Sequence, residues 1–248
     1  MMKYTDETTE ERLDYMPGGQ RTIFQRSNVF SYSMDAVLLA KFAPIPSENG
    51  KIIDLCAGNG AVPLMMTLRT KAKIDGVELQ PLLVELAKRT MKENDIDEQV
   101  RIIEADLLAL DTQVTWESYD VVTCNPPYFS VTSEKGKNEN KHVSLARHEI
   151  ACTLDDVIRV SAKLMKQKAR IALVHRPERV VEIFATMKKY RLEPKRLQYV
   201  HPKKDKQANM VLIEAVREGN PGLNTLPPWI VYEDSQHYTK EFKDHYEC

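Results

Sequence analysis

The chain has 248 residues, of which 42% are hydrophobic and 29% charged, and its formal net charge is -1. This is the composition of one globular domain, or of one domain with a small appendage. No apolar run reaches the roughly 18 to 20 residues of a membrane span, the polar N-terminus is unlike a signal peptide, and the near-neutral charge argues against holding nucleic acid by global charge alone. The four cysteines form no CxxC pair, so we expect no metal site, no disulfide framework and a cytoplasmic location.

Strand and helix patterns alternate along the chain. Short apolar runs predict strands, and stretches with apolar residues at helical spacing predict helices, two of them opened by proline. This alternation is typical of βαβ units with a parallel sheet covered on both faces. A polar loop joins the last two strands, which predicts an antiparallel finish. The predicted strands are 51–55, 73–79, 100–104, 119–123, 169–175, 196–201 and 210–216, and the predicted helices are 61–69, 81–94, 154–166 and 177–190.

Two stretches do not follow this plan. Residues 130–149 are polar and rich in lysine, and we expect a mobile loop there. Residues 219–248 are rich in proline and tyrosine, and we expect an irregular tail that packs back on the sheet through Trp229, Ile230 and Val231. The predicted division is a cover segment at 1–50, a main domain at 51–218 and this tail.

A glycine-rich turn, Asp54-Leu-Cys-Ala-Gly58-Asn-Gly60, follows the first strand of the main domain. Glycines in such a turn let a ligand approach the backbone closely. Pro63 stands where a nicotinamide- or flavin-binding turn has its third glycine, and the lysine of a phosphate-binding P-loop is absent. Glu78 ends the next strand about 20 residues after the turn, where a carboxylate can accept both hydroxyls of a ribose.

Asp106 follows the third strand, so an acidic side chain stands after each of the first three strands. Such a set suits a nucleoside cofactor, with one carboxylate for an amine, one for the ribose and one for the adenine amino group. The spacing resembles the class I S-adenosylmethionine methyltransferases, although Cys56 replaces the first glycine of that family. The resemblance implies a Rossmann-like α/β fold with a doubly wound, mostly parallel seven-stranded sheet and an antiparallel last strand. The cofactor-binding residues it implies are Asp54, Cys56, Gly58, Gly60, Glu78, Leu79, Asp106, Leu107 and Asn125.

The tetrapeptide Asn125-Pro-Pro-Tyr128 follows the fourth strand. Two prolines in series give a stiff extended loop, and its place after a central strand puts it beside the cofactor crevice. The side-chain oxygen of Asn125 and the carbonyl of Pro126 can each accept one N–H of a planar nitrogen, which aims its lone pair at a sulfonium methyl. Tyr128 can stack on a base. We therefore predict that Asn125, Pro126 and Tyr128 catalyse in-line methyl transfer by positioning, without a general base.

This tetrapeptide resembles the N-P-P-Y motif of amino-methyltransferases, and its flanks narrow the family. Residues 25–42 look like an apolar helix capped near Ser33 or Asp35, and with 146–149 and 232–246 they resemble the bacterial tRNA1(Val) (adenine-37-N6) methyltransferases. The resemblance implies S-adenosylmethionine as cofactor, tRNA as partner and adenine N6 of adenosine 37 as target. It also implies that Phe30 to Asp35 close one side of the cofactor pocket. We expect a monomer that binds neither membrane nor metal.

A folded RNA substrate requires a cationic surface. Basic side chains are concentrated at 188–206 and, just after the tetrapeptide, at 135–148. Because a run of charged residues commonly forms a solvent-exposed surface without a partner, each group has two possible interpretations: contact with RNA phosphates, or exposure to solvent only. His175, at the end of the fifth strand, is expected to be structural. The predicted substrate-binding residues are Pro127, Phe129, Lys135, Lys137, Arg147, Lys203, Lys204 and Lys206.

Several other activities remain open. A protein glutamine-N5 methyltransferase applies the same chemistry to an amide, but the members of that group carry a helical N-terminal domain, for which the roughly 50 residues before the first strand are too few. An rRNA guanine-N2 methyltransferase usually has N-P-P-F, and a DNA adenine methyltransferase needs a target-recognition domain. A non-catalytic module that binds RNA or senses S-adenosylmethionine is the alternative outside the enzymes, and the complete tetrapeptide argues against it.

Overall fold

The computed structural model describes residues 10–27, 29, 31–47, 49–110, 112–126, 128, 152–234 and 236–247. In these ranges no helix has the length and apolar character needed to cross a bilayer. Several sequence predictions fall outside the described residues, namely those on Phe30, Pro127, Phe129, Lys135, Lys137 and Arg147 and on the loop at 130–149.

The described strands form a two-stranded hairpin and one large sheet. The hairpin consists of β1 (Glu11–Tyr15) and β2 (Thr22–Arg26). The large sheet contains β3 (Lys51–Leu55), β4 (Lys73–Glu78), β5 (Val100–Glu104), β6 (Tyr119–Cys124), β7 (Met165–His175), β8 (Leu192–His201), β9 (Met210–Arg217), β10 (Asn224–Thr225) and β11 (Trp229–Ile230). The helices are α1 (Met34–Phe42), α2 (Ala61–Met66), α3 (Pro81–Glu93), α4 (Leu154–Leu164), α5 (Val180–Lys189) and α6 (Lys240–Glu247).

The order of strands across the large sheet is β10-β8-β9-β7-β6-β3-β4-β5, and β11 also pairs with β8. The pairs are parallel except those of β9, which runs antiparallel to both β7 and β8. The predicted doubly wound, mostly parallel sheet is therefore confirmed, with the antiparallel strand β9 between β7 and β8. The short strands β10 and β11, which pair with β8, raise the predicted seven strands to nine among the described residues. Because β4 and β6 lie on opposite sides of β3, the winding reverses there, and ligands of such sheets bind at this reversal.

Local sequence explains where the main helices begin. Helix α4 opens with a capping box in which Thr153 and Asp156 exchange side-chain and backbone hydrogen bonds. Helix α3 has Pro81 at its first position, where no backbone N–H is needed. Helix α4 ends at Leu164, earlier than predicted, because Met165 already has extended backbone and starts the long strand β7.

Two cores lie on the two faces of the large sheet. Neighbouring strand residues alternate between them: Ile52 packs with α1, α2 and α3, whereas Ile53 packs with α4 and α5. Both side chains are fully buried. Since both faces of the central strands are covered, only the strand ends are left to hold ligands.

The two ends of the chain are more regular than predicted. The hairpin β1–β2 was not predicted, and helix α6 corrects the prediction of an irregular tail at 219–248. The signal for α6 was its aromatic spacing, since Tyr238, Phe242 and Tyr246 recur every fourth residue and pack together. Trp229 pairs in β11 with Val200 of β8, and its ring lies against Phe242.

Candidate active site

A cavity of about 900 Å3, including its open mouth, lies at the carboxyl ends of β3, β4, β5 and β6. Its walls come from the segments that follow these strands and from the start of α1, where Tyr32 and Ser33 line it. This is the point at which the winding of the sheet reverses. The predicted cofactor residues that line the cavity are Cys56, Gly58, Glu78, Leu79, Asp106, Leu107 and Asn125.

Asp54 is buried at the end of β3, with only 1% of its surface exposed, and is not in the cavity wall. Its Oδ1 accepts a hydrogen bond of 2.5 Å from the Thr123 hydroxyl, whereas its Oδ2 is buried with no partner among the described residues. Burial, opposed by the hydrogen bond from Thr123 and aided by the charge of nearby Glu78, raises the pKa of Asp54 to about 8. A buried polar oxygen without a hydrogen-bond partner is costly, so Oδ2 of Asp54 has capacity for a further polar group.

The glycine turn uses left-handed backbone at three positions, with φ of 59° at Cys56, 57° at Gly58 and 86° at Gly60. The φ of Gly60 is one that residues with a side chain rarely adopt, and a Cβ there would come within 2.6 Å of Met91 Cε. Gly60 does not line the cavity. Gly58 has open space where a side chain would stand. The left-handed backbone of Cys56 explains why glycine is the usual residue at this position, because that conformation costs residues with a side chain about 1–2 kcal/mol.

Glu78 fastens the glycine turn to the end of β4. Its Oε2 accepts from the backbone N–H of Gly58 at 2.8 Å, and its Oε1 accepts from that of Gln80 at 2.9 Å. Burial raises the pKa of this carboxyl group, and the backbone donors oppose the shift. Asp106 uses Oδ1 to cap the turn at Leu108 at 2.8 Å. Each carboxylate keeps acceptor capacity at the cavity wall for hydroxyl or amino groups of a ligand.

The opposite wall is built by the loop after β6. The Tyr128 hydroxyl lies 2.6 Å from Asn125 Oδ1 and 2.5 Å from Asp35 Oδ2. Asp35 belongs to the first turn of α1, which begins directly after Ser33, as the sequence predicted. The guanidinium of Arg179 donates to the Tyr128 carbonyl at 3.4 Å. The loop is thus held from α1 on one side and from the turn between β7 and α5 on the other.

The ring of Tyr128 packs against the residues that end β7. Its centroid lies 5.2 Å from that of His175 and 5.5 Å from the guanidinium carbon of Arg176. His175 is fully buried, and its Nδ1 accepts from the backbone N–H of Arg176 at 2.8 Å. Burial, followed by the charge of Arg179, lowers the pKa of His175 to about 3. His175 is therefore neutral, in keeping with the structural part expected for it.

The basic cluster at 188–206 is divided between two edges of the sheet. Residues 188–191 precede β8, whereas 203–206 follow it, and the ten residues of this strand span roughly 30 Å. The carboxyl end of β8 is on the same edge as Asn125, and Arg176 donates to the carbonyl of Asn209 in the loop between β8 and β9 at 3.1 Å. The cluster is therefore not one surface, and only 203–206 extend from the edge that carries the cavity.

Acidic partners also distinguish these two groups. At the amino edge Lys188 pairs with Glu193, and Lys189 pairs with Asp155 at 2.6 Å. At the carboxyl edge Lys206 pairs with Asp205 at 3.8 Å, whereas Lys203 and Lys204 make no ion pair in the part of the chain that the structure describes. The second group therefore has cationic charge available for a polyanion.

The sequence model of the methyltransferase small domain family matches residues 20–182, more than half of the chain. The chain belongs to this family. The match covers α1, the glycine turn and the loop after β6, so it includes both walls of the cavity. Membership confirms that the predicted methyltransferase class is correct.

Curated relatives of this methyltransferase share one name, tRNA1(Val) (adenine(37)-N6)-methyltransferase. The relative from Aliivibrio fischeri is 32% identical over 143 residues, which are 57% of this chain and 58% of the relative. That from Porphyromonas gingivalis is 25% identical over 219 residues and 84% of each chain. That from Parabacteroides distasonis is 26% identical over 226 residues, 90% of this chain and 88% of the relative. The match thus spans little more than half of the first relative and most of the other two.

Solved structures support the fold of this methyltransferase. A predicted O-methyltransferase from Agrobacterium tumefaciens superposes with a TM-score of 0.69 at 24% identity, over 85% of this chain and 94% of that one. Geranyl diphosphate C-methyltransferase from Streptomyces coelicolor, in complex with S-adenosyl-L-homocysteine, superposes with a TM-score of 0.56 at 16% identity, over 73% and 76% of the two chains. At these identities the likeness concerns the fold alone.

Sequence reasoning did not name Thr123 or Arg179 in this methyltransferase, and it did not connect Asp35 with Tyr128. Thr123 binds Asp54, Asp35 binds Tyr128, and Arg179 binds the Tyr128 carbonyl. A signal existed for Arg179, because it lies in the short turn Pro177–Arg179 after β7, the neighbour of β6 at the cavity edge. Asp35 was only named as an approximate end of the closing segment, since its partner lies 93 residues away in sequence.

Proposed function

We propose that this methyltransferase transfers the methyl group of S-adenosylmethionine to N6 of an adenine in tRNA, with adenosine 37 of tRNA1(Val) as its target. The observation that carries the proposal is the place of Asn125, whose amide lines the cofactor cavity beside Tyr128. The shared name of the relatives supports the choice of tRNA and of adenine. When bound, the cofactor supplies a methyl group on a sulfonium, which needs no metal for transfer.

The residues on the donor side fit this cofactor. The unpartnered Oδ2 of Asp54 suits the amine, Glu78 suits the ribose hydroxyls and Asp106 suits the adenine amino group. Cys56, Gly58, Leu79 and Leu107 supply the backbone and apolar walls. In this proposal residues 51–218 form the catalytic domain, and the cover segment at 1–50 contributes Tyr32, Ser33 and Asp35.

On the acceptor side, Asn125 Oδ1 and the Pro126 carbonyl each accept one N–H of the adenine amine. This directs the nitrogen lone pair along the line of displacement, and the amine loses a proton to solvent after transfer. The ring of Tyr128 stacks on the adenine while its carbonyl is held by Arg179. Most of the rate enhancement then comes from position and fixed dipoles.

The substrate side follows from the charges at the carboxyl edge. The loop after β8 carries Lys203, Lys204 and Lys206. The carbonyl oxygen of Lys206 lies 2.8 Å from Nδ1 of His201. Arg176 joins this loop to the Tyr128 ring. We propose that these lysines contact phosphates of the tRNA that presents its base to Asn125, which makes binding sensitive to salt.

The test is to incubate the protein with labelled S-adenosylmethionine and an unmodified tRNA1(Val) transcript, and to analyse the digested nucleosides by mass spectrometry. N6-methyladenosine should form, and a transcript with guanosine at position 37 should stay unlabelled. Asn125→Ala is the control variant: it should still bind S-adenosylhomocysteine, with at most a modest loss of affinity because Asn125 lines the cavity, and form product at least a hundredfold more slowly. Label in a protein glutamine or in guanine N2, with none in adenine, would overturn the proposed substrate.

A further inference from the structure

The Tyr128 hydroxyl stands between two acceptors and has one proton. Asp35 Oδ2 lies 2.5 Å from it and Asn125 Oδ1 lies 2.6 Å from it. Burial, and then the charge of Asp35, raise the pKa of Tyr128 well above its ordinary value. The hydroxyl therefore keeps its proton and can donate it to one of the two oxygens at a time.

Asp35 is placed to accept the hydrogen bond that the Tyr128 hydroxyl donates. Only 7% of its surface is exposed, and its other oxygen, Oδ1, accepts from the Ser33 hydroxyl and, at 3.1 Å, from the backbone N–H of Ala36. These bonds fix the carboxylate at the start of α1 with Oδ2 toward Tyr128. A hydrogen bond to a carboxylate is roughly twice as strong as one to an amide oxygen, so Asp35 outcompetes Asn125 for the proton.

This competition matters because Asn125 needs its oxygen for the substrate. When the Tyr128 proton points to Asn125, it weakens the capacity of Oδ1 for the N–H of the acceptor nitrogen and crowds its approach. When the proton points to Asp35, a lone pair of Asn125 stays available. Tyr128 and Asn125 belong to one loop, whereas Asp35 belongs to the cover segment, so the contact between these two segments determines which oxygen is free.

We propose that Asp35 is a positioning residue for methyl transfer, which holds the Tyr128 proton away from Asn125 Oδ1 and so leaves that oxygen free for the amino group of the acceptor. This inference rests on the proposed function for the identity of the acceptor. Asp35 itself is absent from the cavity wall and touches neither reactant in this arrangement.

The test compares wild type, Asp35→Asn, Tyr128→Phe and the double variant in the tRNA assay. Asp35→Asn replaces the carboxylate with a neutral group of the same shape, and we expect kcat to fall about tenfold with an unchanged Kd for S-adenosylhomocysteine. Tyr128→Phe keeps the ring but removes the proton in dispute. In that background Asp35→Asn should change kcat by less than about twofold.

A purely structural part for Asp35, as the acid at the start of α1, predicts a different result. The loss would then be the same in both backgrounds, and that outcome, like an unchanged kcat in Asp35→Asn, overturns the inference. If Asp35→Asn lowers Tm too far for assay, Asp35→Ser replaces it, since serine can still accept from the Ala36 N–H.

Wild-type protein that makes no N6-methyladenosine disproves the proposed function instead. In that case, the free energies of unfolding of the four proteins test the contact between Asp35 and Tyr128. If the destabilisation of the double variant equals the sum of those of the two single variants, the inference is overturned.

Discussion

The two walls of the crevice are assembled differently. The donor wall is the side of the crevice formed by the glycine turn and the ends of β4 and β5, and the acceptor wall is the side formed by the loop after β6. On the donor wall, Glu78 at the end of β4 binds the N–H of Gly58, which is only 20 residues away and follows the adjacent parallel strand β3. On the acceptor wall, Tyr128 is held by Asp35, 93 residues away, and by Arg179, 51 residues away. The donor wall is thus fixed by two strand ends, whereas the acceptor wall combines the loop after β6 with the cover segment and the turn between β7 and α5.

The largest effect on the donor wall is expected for Glu78→Gln. An amide has one acceptor oxygen, so the N–H of Gly58 or of Gln80 would face an NH2 group and lose its partner. The amide also offers one acceptor oxygen fewer to the ribose hydroxyls of the ligand, and a hydrogen bond to a charged acceptor contributes about 2 kcal/mol, so the affinity for S-adenosylhomocysteine should fall about thirtyfold by calorimetry. Asp106→Asn is the matched control, because it retains an oxygen for Leu108. Wild-type affinity in Glu78→Gln would show that the donor wall does not depend on this carboxylate.

The next effect concerns pH and Asp54. Because burial raises the pKa of Asp54 to about 8, the free protein holds it protonated at neutral pH, and pairing with a cationic amine requires release of that proton. The affinity for S-adenosylhomocysteine should therefore rise roughly tenfold from pH 6 to pH 7, rise less from 7 to 8 and level off above 8. Asp54→Asn has no proton to release, so its affinity should be flat over this range. The same slope in the variant would assign the proton to another group.

A smaller effect should separate the two basic edges. Lys203→Ala with Lys204→Ala should weaken tRNA binding about fivefold near 0.1 M salt and lower the slope of log K against log salt by about 2. Lys188→Ala with Lys189→Ala is the matched control, since these lysines are paired with Glu193 and Asp155 at the other edge. Filter binding over a salt series measures both. Equal slopes of log K against log salt for the two variants would mean that the RNA does not contact the lysines at the carboxyl edge.

The smallest effect is expected at Cys56, on the donor wall. Its φ of 59° lies in the left-handed region, where glycine has no steric cost. Cys56→Gly and Cys56→Ala both remove the thiol, so their difference reports the backbone. The glycine variant should be about 1 kcal/mol more stable to urea unfolding than the alanine variant. Equal stability would place the strain elsewhere in the turn.

Most elements of the sheet could be predicted from the sequence, and the unpredicted ones share a cause. Strands β3 and β5 begin and end at the predicted residues because apolar runs and turn residues bound them. The hairpin β1–β2 carries no comparable apolar run, and Thr22 and Phe24 are anchored by Asn94 and Thr90 of α3. Such a strand is stabilised by a distant helix, which local pattern does not reveal.

By itself the sequence determined the order of strands and helices, the family and the donor wall, because parallel strands bring their carboxyl ends to one edge whatever the loops do. The predicted parts of Gly58, Glu78 and Asp106 depend only on that geometry. Only the tertiary structure decided that Asp35 reaches Tyr128, that Arg179 holds its carbonyl, and that residues 188–191 and 203–206 face opposite edges. Those facts depend on contacts between distant segments, and on the length and direction of β8, which no local spacing encodes.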